Sequence, residues 1–206
     1  MYLVNEMFRS VQGEGARTGH ESLFVRFTGC NMRCAMEPGP KSPGGFDCDT
    51  EFVSGRRVNI IELMDWLTEV HDSSPMSDPW VVLTGGEPLL QVDDDLLKTL
   101  RDSGYKIQIE TNGSKPFEYG KVEFLTVSPK VAEHAIRATR ANEVKYVRGY
   151  GQPLPETVVL ADKYWISAAF TGTTLDARTM AWCRDLCARS DKWEFMLQQH
   201  KIMGVQ

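Results

Sequence analysis

The stretch WVVLTGGEP, residues 80–88, decides the fold expected for this chain. Its first five residues form a short, nearly continuous apolar run, which is typical of a buried strand in a parallel sheet. Two glycines follow, which let backbone approach a ligand closely, and Glu87 then offers a carboxylate beside exposed backbone groups. By itself the segment is also compatible with an ordinary tight turn.

Other runs along the chain have the same strand character. Further strands are predicted at 22–28, 105–111, 122–127, 143–147, 163–167 and 193–198. Amphipathic segments predict helices at 60–71, 93–104 and 175–190, the first of them with a capping box formed by Asn59 and Glu62. The region 130–160 has weak end signals, and an irregular connection is expected there. Alternating strands and helices predict an α/β fold with a largely parallel sheet and functional loops at the carboxyl ends of its strands.

The composition is that of an ordinary globular protein. The chain has 206 residues, of which 42 % are apolar and 25 % charged, with a net charge of −5 and no Lys/Arg run. Capture of nucleic acid by a large basic surface is therefore not expected. The N-terminus does not resemble a signal peptide, and no apolar run approaches the ~18 residues of a membrane span. Five cysteines, an odd number, argue against a disulfide framework, so a cytoplasmic location is expected.

Three cysteines lie in GCNMRCAMEPGPKSPGGFDCDT, residues 29–50. Cys30 and Cys34 are four apart, and Cys48 follows after a run of turn-forming residues. A structural zinc site would need a fourth ligand, and the spacing matches no usual zinc pattern. Three thiolates on a 4Fe–4S cluster leave one iron open for a substrate or cofactor. Buried cysteines without a metal are the simplest alternative.

Together these segments resemble the radical S-adenosylmethionine (SAM) enzymes. The resemblance rests on GCN at 29–31, Cys34, Cys48 and TGGEP at 84–88. In that superfamily three cysteines hold a 4Fe–4S cluster, SAM chelates the fourth iron, and the GGEP segment binds the SAM amino group. The usual spacing is Cys-x3-Cys-x2-Cys. This chain keeps the first gap but has thirteen residues in the second.

An ordered set of further motifs resembles one family, the 7-carboxy-7-deazaguanine synthases of queuosine and 7-deazapurine biosynthesis. The resemblance runs from about residue 5 to the C-terminus. The motifs are FRSVQGEGARTGHESLFVRFTGCN (8–31), CDT (48–50), ETNG (110–113), SPK (128–130), NEVK (142–145) and QQHK (198–201).

The resemblance implies a shortened, partial TIM-like barrel, roughly β6/α3, with a cluster-binding loop after the first core strand. It implies a single radical SAM domain over 1–206 with an inserted loop at about 35–47. The implied reaction converts 6-carboxy-5,6,7,8-tetrahydropterin to 7-carboxy-7-deazaguanine with loss of ammonia, and needs a 4Fe–4S cluster, SAM and Mg²⁺. The implied partners are an external flavodoxin-like electron donor and a second copy of the chain, with no nucleic acid and no membrane.

The same resemblance assigns site residues. The cluster ligands would be Cys30, Cys34 and Cys48, and the Mg²⁺ ligand would be Thr50. The residues around SAM would be Asp47, Asp49, Gly86, Glu87, Ser128, Pro129 and Lys130. The residues that contact the pterin would be Val11, Gln12, Gly13, Glu14, Arg26, Thr84 and Gln206.

Residue chemistry agrees with a planar, anionic ligand. Arg26 lies inside the apolar strand LFVRF, where a lone arginine is costly unless it is paired. A ligand carboxylate would suit its fork geometry, and the alternative is an ion pair with Glu14 or another internal acid. Gln12 and Glu14 lie in a glycine-bracketed loop suited to binding ring nitrogens and amino groups, although the loop is also compatible with a surface turn.

Some features do not follow the family. Where it often has a QPMD-like segment near SAM, this chain has SAAFTG at 167–172, and we assign no site residue there. Cys183 and Cys187 share a helix face and are expected to be structural. His200 is equally compatible with a structural and a functional role.

Two other functions compete with the synthase. A radical SAM activase, which makes a glycyl radical on a partner protein, shares the cysteine loop and TGGEP but leaves QGEG and Arg26 unexplained. A small zinc protein without catalytic activity is the third possibility.

Overall fold

The computed structural model describes residues 1–32, 48, 50–72, 76–130, 132–171 and 174–204. The strands are β1 (Tyr2–Val11), β2 (Glu21–Phe27), β3 (Arg56–Val58), β4 (Trp80–Gly85), β5 (Lys106–Thr111), β6 (Phe124–Val127), β7 (Arg140–Arg148), β8 (Leu160–Ala168), β9 (Phe170–Thr171), β10 (Thr174–Leu175) and β11 (Glu194–Met196). The helices are α1 (Ile60–Asp72), α2 (Asp94–Asp102), α3 (Ala177–Ala188) and α4 (Gln199–Met203). Single 3₁₀ turns occur at Gly15–Arg17, Pro88–Leu90 and Glu133–Ala135.

Nine of these strands form one sheet in the spatial order β11-β8-β7-β6-β5-β4-β2-β1-β3. The strands from β2 to β11 in this order pair in parallel, whereas β1 pairs antiparallel with both β2 and β3. The sheet is open, because β3 and β11 are its two edges. The α/β class with a largely parallel sheet is confirmed. Six neighbouring strands, β2 and β4–β8, form a parallel core of the expected size, and β1, β3 and β11 extend the sheet to nine strands.

One face of the sheet packs against the helices and forms the apolar core. Helix α1 lies on β1 and β2, α2 lies on β5, and α3 lies on β8 and β11. The largest fully buried apolar side chains are Phe27, Leu23, Leu63, Leu67, Leu83, Leu96, Leu100, Ile107, Ile109, Leu125 and Ile166. Each contributes about 1.5–3 kcal/mol relative to an exposed side chain, so this layer holds the helices on the sheet.

The predicted helix starts and strand positions are confirmed. Asn59 accepts hydrogen bonds from the N–H groups of Ile61 (2.9 Å) and Glu62 (3.0 Å), and its own N–H donates to the Glu62 carboxylate (2.7 Å). This is the capping box expected for α1. Asp93 caps α2 with a single hydrogen bond, which its carboxylate accepts from the Leu96 N–H at 2.9 Å.

The region 130–160 is more ordered than we expected. The predicted strand at 143–147 extends over Arg140–Arg148, so the irregular connections flank it at 132–139, which includes one 3₁₀ turn, and at 149–159. The inserted loop expected at 35–47 lies outside the described residues. Across the described ranges, no helix is both long and apolar enough to cross a bilayer.

Candidate active site

The sheet face opposite to the helices carries buried polar side chains. On β7, Glu143 and Lys145 lie on this face, whereas Val144 and Tyr146 belong to the apolar core. The buried polar residues of this face and of the loops packed on it are Gln12, Glu14, Arg17, Ser22, Gln108, Thr126, Glu143, Lys145, Ser167 and Gln198. Because buried polar groups are costly unless they are hydrogen-bonded, so many of them together indicate a site for a polar ligand.

The QGEG segment, residues 12–15, lies across this polar face. Gln12 donates through Nε2 to Glu110 Oε1 (2.9 Å), and its Oε1 accepts from the Glu14 N–H (3.1 Å). The Glu14 carboxylate forms an ion pair with Lys145 and accepts a second hydrogen bond from Gln198 Nε2. These contacts place Glu14 inside the protein rather than on a surface turn.

Both members of the Glu14–Lys145 pair are held in their charged forms. Burial alone would raise the pKa of Glu14, but the Lys145 ammonium and the Gln198 hydrogen bond outweigh burial and lower it. Burial alone would lower the pKa of Lys145, but the carboxylates of Glu14 and Glu110 outweigh burial and raise it. The site therefore contains a fixed carboxylate at neutral pH.

Glu143, on β7, also holds the segment that contains Glu14. Its Oε2 accepts from the Ala16 N–H (2.7 Å) and from Trp165 Nε1 (2.8 Å), and its Oε1 accepts from Thr126 Oγ1 (2.9 Å). Burial raises the pKa of Glu143, and these hydrogen bonds only partly offset that effect. Gly15 has φ +71° and passes so close to this carboxylate that a Cβ there would lie 2.6 Å from Glu143 Cδ.

The C-terminal segment closes over the QGEG loop. The Gln199 N–H donates to the Gly13 carbonyl at 2.9 Å. A Cβ at Gly13 would lie 2.7 Å from His200 Cβ, so only glycine lets the two segments meet. His200 is therefore in contact with the candidate pterin loop, as one of its two expected roles requires.

The structure gives Arg26 a partner in the protein. Its Nη1 donates to Glu6 Oε1 at 2.6 Å, its guanidinium lies 4.9 Å from the centre of the Phe8 ring, and the side chain is partly exposed. Of the alternatives set out above, the described residues show the ion pair with an acid, and that acid is Glu6 rather than Glu14. Contact between Arg26 and a ligand carboxylate stays a prediction.

Arg17 is the buried arginine of this face. It donates to Gln108 Oε1 (2.5 Å) and Ser22 Oγ (3.3 Å), and its guanidinium lies 3.6 Å from the Trp80 ring centre. Trp80 is the first residue of β4, so Arg17 fills the end of the polar face that is remote from the strands' carboxyl ends. Nearer those carboxyl ends, Thr84 Oγ1 donates to Glu110 Oε2 at 3.4 Å.

The first cysteine and the TGGEP segment are in direct backbone contact. The Glu87 N–H donates to the Gly29 carbonyl at 2.9 Å, and the Gly86 N–H donates to the Phe27 carbonyl at 2.9 Å. A Cβ at Gly86 would lie 2.6 Å from the Gly29 carbonyl carbon and 3.3 Å from the Cys30 nitrogen. The glycine is therefore required because the end of β2 passes directly over it.

The ETNG segment, residues 110–113, reaches the same place from β5. Asn112 Nδ2 lies 3.9 Å from Cys30 Sγ and donates to Asn31 Oδ1 at 3.1 Å. Burial raises the pKa of the Cys30 thiol, and the nearby Cys48 contributes in the same direction. Cys48 donates weakly to the Thr50 carbonyl at 3.5 Å. Cys30 and Cys48, two of the three expected cluster cysteines, are therefore within electrostatic range of each other.

The Glu87 carboxylate lies beside free backbone N–H groups, as expected, and binds them inside the protein. It is fully buried and accepts hydrogen bonds from the Leu89 N–H (3.0 Å), the Asn112 N–H (2.8 Å) and Thr111 Oγ1 (2.7 Å). Burial raises its pKa. The carboxylate links the end of β4 to the end of β5, because the N–H groups of Leu89 and Asn112 donate to it rather than to a neighbouring strand. A contact of Glu87 with SAM stays a prediction.

The SPK segment, residues 128–130, follows β6 at the same edge of the sheet. The Ser128 N–H donates to the Thr111 carbonyl at 2.8 Å, and Lys130 Nζ donates to Ser128 Oγ at 3.3 Å. The carboxyl ends of β2, β4, β5 and β6 therefore bring Cys30, Gly86, Glu87, Ser128 and Lys130, which are among the expected cofactor residues, to the same edge of the sheet. Cys34, Asp47, Asp49 and Gln206 lie outside the described residues. Within the described ranges, no three His, Cys, Asp or Glu side chains are close enough to hold a metal ion.

Cys183 and Cys187 lie apart from this region, buried on α3. Burial raises the pKa of each thiol to about 11, and Cys183 Sγ donates to the Arg148 carbonyl at 3.4 Å. Both are protonated at neutral pH, which agrees with the structural role expected for them.

Several residues of the site were not assigned from the sequence. They are Arg17, Gln108, Glu110, Asn112, Glu143, Lys145 and Gln198. Five of them, Glu110, Asn112, Glu143, Lys145 and Gln198, lie in the ETNG, NEVK and QQHK motifs, so these motifs carried the signal. The sequence did not say which motif residue faces the site.

Comparison with known proteins identifies the relatives of the chain. No family model matches it. It is 36 % identical to a 7-carboxy-7-deazaguanine synthase from Bradyrhizobium diazoefficiens over 212 aligned residues, which cover 100 % of this chain and 99 % of that protein. It is 33 % identical to the 7-carboxy-7-deazaguanine synthase of Bordetella pertussis, with 99 % of each chain covered.

A solved structure has the same fold. The crystal structure of QueE from Escherichia coli superposes with a TM-score of 0.66 at 23 % identity, covering 97 % of this chain and 94 % of that one. At this identity the likeness establishes the fold alone. The sequence identity to the two named synthases, in contrast, extends over almost the whole length of this chain and of each relative. Similarity of this extent shows membership of a family. The chain therefore belongs to the 7-carboxy-7-deazaguanine synthase family.

Proposed function

We propose that this chain is a radical SAM lyase that converts 6-carboxy-5,6,7,8-tetrahydropterin to 7-carboxy-7-deazaguanine with loss of ammonia. Its full-length relatives carry the synthase name, which favours this activity over the activase. One observation in this chain supports it most directly. The carboxyl ends of the strands bring Cys30, Gly86 and Asn112 together beside a polar face that holds Glu14 and Gln12.

The residues around Cys30 fit an iron–sulfur cluster. Cys30 and Cys48 are within electrostatic range of each other and only partly buried, and Gly86 places no side chain against the Gly29–Cys30 backbone. Cys30, Cys34 and Cys48 would hold the 4Fe–4S cluster, and Gly86, Ser128 and Lys130 would surround SAM. When bound, the reduced cluster and SAM supply a carbon-centred radical that abstracts hydrogen from the substrate.

The polar face would bind the pterin. A pterin presents adjacent amino and ring N–H donors, and the Glu14 carboxylate is a charged acceptor for such a pair. Gln12, fixed by Glu110, would accept or donate beside it. Thr84, which donates to Glu110 Oε2, would contact the pterin from β4. Arg26 would bind the substrate carboxylate by exchanging its present partner Glu6.

A magnesium ion, an electron donor and a second copy of the chain complete the proposed enzyme. Thr50 would be the protein ligand to Mg²⁺, which keeps most of its waters and takes few protein oxygens. An external flavodoxin-like protein would supply the electron, and two copies of this single radical SAM domain would form a homodimer in the cytoplasm.

The test is an anaerobic turnover experiment. The protein is reconstituted with iron and sulfide and then incubated with reductant, SAM, Mg²⁺ and 6-carboxytetrahydropterin, and the products are identified by mass spectrometry. We expect 7-carboxy-7-deazaguanine from the wild type and from Cys183→Ala, and none from Cys48→Ala. SAM cleavage that leaves the pterin unchanged would favour the activase. A colourless protein that retains zinc would refute the radical mechanism.

A further inference from the structure

The NEVK segment, residues 142–145, carries two charged side chains that the proposed reaction does not use. Glu143 and Lys145 are two residues apart on β7, so both project to the polar face of the sheet. Each is largely buried, and Lys145 and Glu14 retain only 9 % of their side-chain exposure. A central strand rarely buries two opposite charges on one face without a specific reason.

The two side chains hold the QGEG loop at two points. Lys145 pairs with the carboxylate of Glu14, and Glu143 accepts from the N–H of Ala16. Two positions on a strand are separated by about 6–7 Å, and the contacted loop residues are also two positions apart. The two contacts therefore fix the distance of the loop from β7 and determine which loop residue lies over which strand residue. The close passage of Gly15 over Glu143 leaves no room for the loop to shift.

The pattern of contacts leaves part of Glu14 available to a ligand. A carboxylate has about four acceptor positions, two on each oxygen. Lys145 occupies one position on Oε2, and Gln198 occupies one on Oε1. One acceptor position therefore remains on each oxygen, which suits a ligand with two adjacent N–H donors. The protein donors also prevent the carboxylate from rotating.

We propose that Lys145 and Glu143 are positioning residues that hold the Glu14 carboxylate in the orientation in which it accepts two hydrogen bonds from the substrate ring. This inference rests on the proposed function, because it takes the pterin as the ligand of Glu14. Neither residue touches the substrate. Lys145 acts on the charge and direction of the carboxylate, and Glu143 acts on the backbone that carries it.

The pH dependence of substrate binding separates positioning from simple structural support. Without Lys145, burial is no longer opposed by a neighbouring cation, and Glu14 takes up a proton at higher pH. The charged and titratable groups that face the pair are Glu143 on β7, Glu110 on β5, His200 on α4, and Arg17 in the loop. Lys145 also lowers the pKa of Glu143, so a Glu143→Gln variant is measured beside the Lys145 variants to identify the part of any pH shift that comes from Glu143.

The experiment measures binding without turnover. The reconstituted, SAM-bound protein is titrated anaerobically with 6-carboxytetrahydropterin in the absence of reductant, by calorimetry between pH 5.5 and 8.5. For Lys145→Met we expect about a tenfold or greater loss of affinity, as for the loss of a charge-assisted hydrogen bond, with the loss growing as the pH falls. Lys145→Arg should restore most of the affinity and the wild-type pH profile. Glu143→Gln should weaken binding without the loss growing as the pH falls, because Glu143 itself takes up a proton at lower pH.

A matched control tests whether the loss of any lysine would lower the affinity for the pterin. Lys98→Met removes an exposed ion pair with Asp102 on α2, far from the site, and should leave the affinity unchanged. If Lys145→Met does not fold, Lys145→Gln replaces it, since Gln keeps a donor but removes the charge, and the same criteria apply. Equal affinity and an equal pH profile in the Lys145 variant and the wild type would refute the positioning role alone. Wild-type protein that binds no pterin would refute the proposed function itself.

Discussion

Replacing Gly86 by alanine tests whether the first cysteine is held in place by the TGGEP backbone. Gly86 lies outside the left-handed region, so alanine brings no backbone strain of its own. The added methyl group instead meets main-chain atoms, 2.6 Å from the carbonyl carbon of Gly29 and 3.3 Å from the nitrogen of Cys30. Main-chain atoms cannot rotate away as a flexible side chain can, so the two loops must separate.

The loss of unfolding free energy in Gly86→Ala has two contributions. Overpacking a well-filled site costs about 1–3 kcal/mol, and here the contact is at the severe end because it is with backbone. Separation of the loops also breaks the hydrogen bond from the Glu87 N–H to the Gly29 carbonyl, which contributes about 1 kcal/mol. The free energy of unfolding should therefore fall by about 2–4 kcal/mol. Cys30 should move with the displaced strand end.

The assay compares apoprotein stability and cluster loading. Anaerobic urea unfolding followed by circular dichroism gives the free energy of unfolding, and iron analysis after reconstitution gives the cluster content. Gly120→Ala is the control, because Gly120 has φ +92° but an added Cβ would have open space around it. The control should cost about 1–2 kcal/mol from backbone strain and keep its iron. Gly86→Ala with full iron content and no more destabilisation than the control would refute the inferred docking of the two loops.

Three further changes test other parts of the structure. Burial raises the pKa of Glu143, so the folded protein binds this proton more tightly than the unfolded chain does. The contribution of Glu143 to the free energy of unfolding is therefore greatest below pH 4.5, the ordinary glutamate value, and is lost as the pH rises through the higher folded-state pKa. Glu143→Gln should therefore reduce the fall in unfolding free energy above pH 4.5, as measured by urea titrations at several pH values, and an unchanged slope would contradict this assignment. Asn59→Ala removes the cap of α1 and should cost about 1 kcal/mol in the same unfolding assay, whereas no loss would mean that the cap is replaced by solvent. Cys183→Ala should keep its iron after reconstitution whereas Cys30→Ala should not, and loss of iron in both would contradict the separation of α3 from the cluster site.

The helices and most parallel strands could be predicted because their signals are local. The apolar runs at 80–84 and 105–111 belong to strands buried on the helix side, and Asn59 marks a helix start whatever lies around it. Strand β1 was missed because its polar residues interrupt the apolar pattern. Glu6 faces Arg26 and Phe8 faces Phe24 across the antiparallel pair, so these residues belong to the polar side of the sheet.

Partner choice inside the site was not predictable for a different reason. The sequence favoured Arg26 as the buried arginine, because it lies inside the apolar strand LFVRF, and nothing in the polar stretch around Arg17 singled that residue out. The fold decides, because Arg26 lies beside Glu6 on the neighbouring strand, whereas Arg17 is carried by the loop into the space between Gln108 and Trp80. Glu14 could have paired with Arg26 by charge alone, but the strand order places Lys145 beneath it.

Pairing across such distances has a consequence for how the site is maintained. Glu14 is bound by Lys145 and Gln198, which are 131 and 184 residues away in the chain, so its orientation exists only when the whole sheet is assembled. An isolated carboxylate buried to the same degree would take up a proton rather than remain charged. The charged carboxylate of Glu14 is thus a product of the complete fold, and under the proposed function Lys145 contributes to substrate recognition together with the QGEG loop.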